Sequence, residues 1–120
     1  PSWGSNYTVN INLQMNYWPA EPLGLGELTE PLTRQIQHMA VTGRDIARNF
    51  YRMDGWAAHH NSDIWAHTNP VGWQKGDPKW ANWALGSPWL SQHLYEHYRF
   101  TMDKEYLTHI AYPLMKGAAV

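Results

Sequence analysis

The sequence predicts an all-α domain on two observations. Apolar residues recur at helical spacing in five segments, and residues that start or stop helices bracket those segments. No stretch reads convincingly as a strand. Residues 1–8 form a loop, with Gly4, Ser5 and Asn6 as turn formers. Ile11, Met15 and Trp18 recur at i, i+4 and i+7, predicting a short helix that ends near Pro19. Residues 22–28 are broken by glycine and turn. Thr29 then caps a helix whose Leu32, Ile36, Met39 and Ala40 form one stripe, and Gly43 supplies its stop. A second short helix follows, with Ile46, Ala47, Phe50 and Tyr51 as its apolar face and Gly55 beyond. So short a connection predicts an antiparallel pair.

Residues 56–84 lack a clean helical period and hold Pro70, Gly72, Gly76 and Pro78, the mark of a functional loop more often than of a passive connector. Ser87 at an N-cap and Pro88 at the first helical position predict a helix running to about Phe100. Asp103 caps the next helix, which carries Leu107, Ile110 and Leu114 and which Pro113 should kink.

With 120 residues the chain has room for one core. Absence of cysteine removes disulfide scaffolds, zinc-thiolate sites, iron–sulfur clusters and cysteine nucleophiles. A formal net charge of -1, with no Lys or Arg before Arg34, argues against a nucleic-acid partner held through phosphates. Apolar runs of only a few residues supply no membrane span and no visible signal peptide. The chain starts at Pro1 and stops at Gly117-Ala118-Ala119-Val120, as expected of a segment from something larger. Eight Trp beside seven Tyr, seven His and only two Phe leave two readings open. One is a concave surface that stacks on a ligand while hydrogen bonding it; the other is a Trp-rich helical core with each indole N–H paired.

Three constellations could carry chemistry. Asn10-Ile11-Asn12-Leu13-Gln14-Met15-Asn16-Tyr17-Trp18 places four primary amides within seven residues where a loop becomes a helix. Capping accounts for one of them. An amide can hold a water but is a poor base without a carboxylate to polarise that water. His59-His60-Asn61-Ser62-Asp63-Ile64-Trp65 is dense in donors, acceptors and an aromatic plate, as a sugar-binding wall would be, or else Ser62 or Asp63 caps a helix with the histidines exposed. On the third, Glu96 shares a helical stripe with Trp89, His93 and Phe100, beside a core stripe of Leu90, Leu94 and Tyr98. A carboxylate among aromatic rings is desolvated, which favours the protonated form a general acid needs. The bland alternative is a solvated Glu96 paired with Arg99 or His97. His93-Leu94-Tyr95-Glu96-His97 also fits the short H-x-x-E-H pattern of zinc peptidases, for which only Asp103 and Glu105 remain downstream as a further carboxylate ligand. The favoured reading holds no metal and no cofactor.

These motifs resemble the catalytic domain of glycoside hydrolase family 95, the α-L-fucosidases. The resemblance is carried by Trp3-x-Ser5-x-Tyr7-Thr8-x-Asn10-Ile11-Asn12-x-Gln14-Met15-Asn16-Tyr17-Trp18, Gly55-Trp56-x-x-His59-His60-Asn61-Ser62-Asp63-Ile64-Trp65, Trp89-Leu90-x-x-His93-Leu94-Tyr95-Glu96-His97-Tyr98 and Tyr112-Pro113-Leu114-Met115-Lys116-Gly117. It implies an (α/α)6 barrel and inverting hydrolysis of α-L-fucosides, chiefly α-1,2 linked, in a fucosylated oligosaccharide or glycan. By the same resemblance Glu96 is the general acid. Asn10 and Asn12 hold the attacking water, made basic by an aspartate further along the family's chain. His59, His60 and Trp65 line the sugar pocket, with Trp89 and His93 beside the acid. Leu85-Gly86-Ser87-Pro88-Trp89 departs from the family's usual Met-Gly-Gly-Ala-Trp, and Tyr95 stands where Trp is common.

An inverting glycosidase needs a protonated carboxyl on the leaving-group side and roughly 6.5–9.5 Å between its two carboxyl groups for a water. Glu96 meets the first need, whereas Asn10 and Asn12 can position water but not take its proton. A twelve-helix barrel needs several hundred residues, so residues 1–120 are expected to form an N-terminal part of the catalytic domain, incomplete at both ends. About five of its helices would be present, with the remainder of the domain as their partner. The rivals are an α-L-galactosidase on the same scaffold and a non-catalytic carbohydrate-binding or structural helical module indifferent to Glu96. The sequence assigns no compartment, although the resemblance suggests secretion or the periplasm.

Overall fold

A computed structural model describes residues 2–72 and 75–120. Pro1, the side chains of Ser2 and Trp3, and Trp73 and Gln74 of the long loop lie outside the described residues. About 60% of the described residues are helical. A short 3-10 turn, Ser2–Ser5, leads into strand β1 (Tyr7–Thr8) and helix α1 (Asn12–Tyr17). A second 3-10 turn, Gly26–Thr29, opens α2 (Glu30–Ile46), which continues as a π-turn, Ala47–Tyr51. Strand β2 (Asn61–Ser62), α3 (Pro78–Ala81) and α4 (Gly86–Thr101) follow. The chain closes with α5 (Lys104–Tyr106), a π-turn at Leu107–Ala111 and α6 (Tyr112–Ala118). Among the described residues no helix is long and apolar enough to cross a membrane.

Helices α2, α4 and α6 pack on one another around a core that includes Leu32, Ile36, Met39, Ala40, Trp56, Leu90, Leu94 and Ala111. The predicted stripe of α2 is therefore buried, and of the Leu90, Leu94 and Tyr98 stripe the two leucines are fully so. Trp56 enters this core with its indole N–H donating to the Leu114 carbonyl at 2.9 Å, so the polar handle of a buried Trp is satisfied. Asp103 caps α5 as predicted, its carboxylate accepting from the Tyr106 N–H at 3.0 Å. Pro113 lies just after the second π-turn, which widens the helix where proline offers no N–H to the ladder.

Four expectations are corrected. The helix over residues 30–46 does not stop at Gly43, and the antiparallel pair is instead one continuous helix ending at Arg52, in the left-handed region at φ 57°. Ser87 does not cap α4, which begins at Gly86; its carbonyl accepts from the Ser91 hydroxyl at 2.9 Å. A two-residue antiparallel sheet forms, with Tyr7 opposite Ser62 and Thr8 opposite Asn61. On α1 the apolar stripe faces out: Ile11, Met15 and Trp18 are exposed, while Gln14 is fully buried.

Glycine at positions 43 and 86 is explained by the backbone that runs between them. The Ala57 N–H donates to the Gly43 carbonyl, and the Gly86 N–H donates to the Ala58 carbonyl, each at 3.1 Å. A Cβ at Gly43 would stand 2.7 Å from the Ala57 oxygen, and one at Gly86 would stand 2.7 Å from the Ala58 oxygen. Residues 57–58 are thus clamped between α2 and the start of α4. That clamp fixes where His59 and His60 emerge.

Candidate active site

Pairing of β1 with β2 places Asn10 beside His60. The Val9 N–H donates to the His60 carbonyl at 2.6 Å, and the Asn10 amide donates to His60 Nδ1 at 2.9 Å. Asn10, Asn12, His60, Asn61 and Trp80 line one cavity of about 630 Å³. Between the two asparagines, Ile11 sits at φ 146° and ψ -41°, a strained conformation for a β-branched residue. Gln14 holds this kink from inside: its Oε1 accepts from the Ile11 N–H at 3.1 Å and its Nε2 donates to the Val9 carbonyl at 2.6 Å. Burial lowers the pKa of His60, and the Trp80 backbone acts in the opposite direction. With the Asn10 N–H directed at Nδ1, a neutral ring carries its proton on Nε2, a buried atom with no hydrogen-bond partner of good geometry among the described residues.

Helix α4 lines a second, smaller cavity of about 250 Å³ with Trp89, Gln92, His93 and Glu96, spaced i, i+3, i+4 and i+7 along one face. Tyr17, Trp18, Glu21 and Thr29 form the facing wall. Burial lowers the pKa of His93, and the charge of Glu96 opposes that shift. Glu96 is not desolvated as expected: its side chain is 42% exposed and accepts from Arg99 Nη1 at 2.9 Å. This pairing arises because α4 puts residues three apart on adjoining sites of its open side.

The two cavities share no lining residue, yet an aromatic row joins them. Trp89 meets Trp83 edge-on at 6.4 Å between centroids, Trp83 stacks on His60 at 4.4 Å, and His60 meets Trp80 at 6.2 Å. A ligand spanning both cavities would run along this wall, with amides at one end and a carboxylate at the other.

Two of the residues read as sugar contacts stand elsewhere. His59 is fully buried, with Nδ1 donating to the Thr68 carbonyl at 2.7 Å and Nε2 accepting from the Tyr51 hydroxyl at 2.6 Å. Burial lowers its pKa, so it serves as a neutral core histidine that anchors the loop. Trp65 is 80% exposed on a turn closed by Asp63, whose carboxylate accepts from the Trp65 N–H at 2.9 Å. Phe100 is exposed and lines neither cavity. Of the pattern His93 to His97, His97 turns to Glu21 and Glu96 to Arg99, and among the described residues no three His, Asp or Glu side chains converge as a metal site would require. Sequence reasoning missed Glu21, Trp80 and Trp83, which carry no local motif and become neighbours of the site only through the fold.

Comparison with known proteins matches the chain to the Glycosyl hydrolase family 95 catalytic domain over residues 1–120. It is 45% identical over 117 residues to Alpha-L-fucosidase 2 of Arabidopsis thaliana, covering 98% of this chain and 14% of that protein. To Probable alpha-fucosidase A of Aspergillus niger it is 36% identical over 121 residues, covering 99% of this chain and 15% of that protein. The chain thus spans about one-seventh of the length of these curated relatives. On the match along its whole length, the chain belongs to the glycosyl hydrolase family 95 catalytic-domain family.

Proposed function

We propose that residues 1–120 form part of an α-L-fucosidase catalytic domain that hydrolyses fucosylated glycans with inversion, chiefly at α-1,2 linkages. The observation that carries this reading is the pair of cavities joined by one aromatic row, with Glu96 at one end and Asn10 and Asn12 at the other. Glu96 donates a proton to the leaving oxygen, and a sugar lying over Trp89 and Trp18 covers the carboxyl that is open in the free chain. Asn10 and Asn12 orient the attacking water, whose proton passes to an aspartate elsewhere in the catalytic domain. His60 fixes Asn10 and, with Trp80, walls the water side. His93 and Trp89 flank the acid, while His59 holds the loop behind them. The helices are part of an (α/α)6 barrel whose remaining helices complete the site.

Substituting Glu96→Gln in the full-length protein tests the assignment. Turnover of a fucoside with a poor leaving group should fall about 10²–10⁴-fold, the range of a general acid. Near-wild-type turnover would overturn the role of Glu96.

A further inference from the structure

Glu21 follows α1 and is 9% exposed, so its carboxylate is nearly withdrawn from water. One oxygen, Oε1, accepts from His97 Nδ1 at 2.5 Å, and Thr29 Oγ1 lies 3.3 Å from the same nitrogen. The other oxygen lies over the backbone of Gly26, where any Cβ would approach it to 2.8 Å, so glycine at that position leaves the carboxylate its room. Among the described residues no group donates to this second oxygen. With about four acceptor sites on a carboxylate, this oxygen stays open to the cavity, where water or a ligand supplies its donor. Glu21 lines the same cavity as Glu96, between the aromatic side chains of Tyr17, Trp18 and Trp89.

We propose that Glu21 is a hydroxyl-binding carboxylate of the leaving-group subsite, so that the Glu96 cavity takes a polyhydroxylated sugar in preference to a bare alkyl or aryl group. The assignment rests on Glu96 being the general acid, because the cavity that holds the acid must admit the oxygen it protonates. Aromatic faces at Trp18 and Trp89 suit the apolar face of a sugar ring. The free oxygen of Glu21 accepts a hydroxyl from that ring's edge, and a hydrogen bond to a charged group is stronger than a neutral one. An aglycone without hydroxyls leaves that oxygen unpaired, and a site built to bond a hydroxyl discriminates strongly against the analogue lacking it. His97, with Thr29 beside its ring nitrogen, positions Glu21.

The test compares kcat/KM of the full-length protein on α-L-fucosyl-1,2-galactose and on methyl α-L-fucoside. Both have poor leaving groups, but only the first brings hydroxyls into the cavity. The readout is the ratio of the two values, which is independent of how much of a variant is folded. Glu21→Gln, which removes the charge, and Gly26→Ala, which displaces the carboxylate, should each lower this ratio about 10- to 100-fold. An unchanged ratio in both variants would overturn the assignment. Glu96→Gln run in parallel should depress both substrates together. If it depressed neither, the general-acid reading would fail, and with it the placement of the subsite.

Discussion

The side-chain amide of Asn10 donates to Nδ1 of His60 at 2.9 Å, joining positions fifty residues apart. An amide N–H needs a lone pair opposite it, so this bond exists only while His60 is neutral. Burial lowers the pKa of His60 below its ordinary 6.5 and so favours the required form. Protonation would turn Nδ1 into a second donor facing the first, so the Asn10 amide would have to turn over to present its oxygen.

Under the proposed role of Asn10, that relationship predicts an acid limb in the kcat/KM profile of the full-length protein, from a group titrating below 6.5. His60→Asn presents an acceptor oxygen near the place of Nδ1 and does not titrate, so the limb should move to lower pH. A limb that stays put in this variant would detach His60 from the placement of Asn10.

Stability should respond to the same chemistry. His59, His60 and His93 all have pKa values lowered by burial. Between the folded and unfolded pKa values the unfolded chain binds more protons, so stability rises with pH there and is lost on acidification. The thermal midpoint should therefore fall as pH drops from 7 to 5. A flat or rising midpoint across that window would contradict the burial of these rings.

Gln14→Leu removes the partners of the Ile11 N–H and the Val9 carbonyl within a fully buried site. Leaving two such groups unpaired should cost about 2–4 kcal/mol, read from denaturant midpoints at constant slope. A loss below about 0.5 kcal/mol would mean that water enters and replaces the amide.

Gly43→Ala sets two effects against each other. Alanine in a helix interior is worth about 1 kcal/mol over glycine. The added Cβ would meet the Ala57 carbonyl oxygen at 2.7 Å, and overpacking of that kind costs about 1–3 kcal/mol. A net loss of about 0–2 kcal/mol is expected, and a gain would show that residues 57–58 are free to move away.

The apolar faces of α2 and α4 were legible because each belongs to a single helix and repeats with its period. Gly43 misled because a helix stop and a close backbone approach call for the same residue, and only the position of Ala57 separates them. Residues 11–18 misled because Ile11, Met15 and Trp18 fit a helical stripe that spacing alone cannot assign to the inside or the outside. The fold resolves them by burying the polar Gln14, whose amide completes the kinked backbone before α1, and by exposing Met15 and Trp18. Motif density found Asn10, Asn12, His60 and the face of α4. It could not separate His59 from His60, because burial of one and not the other depends on Tyr51 and Thr68. Nothing near Glu21 marks it, since its partner His97 lies 76 residues away.

The two-glycine clamp on residues 57–58 has a kinetic consequence. The walls of both cavities come from distant parts of the chain, and closing such loops precedes any energetic return from the contacts they make. The His60 wall of the larger cavity depends on α2 and α4 being docked on residues 57–58, whose backbone they both bond. A substitution that slows that docking is therefore expected to delay closure of the larger cavity even where it leaves every pocket residue intact.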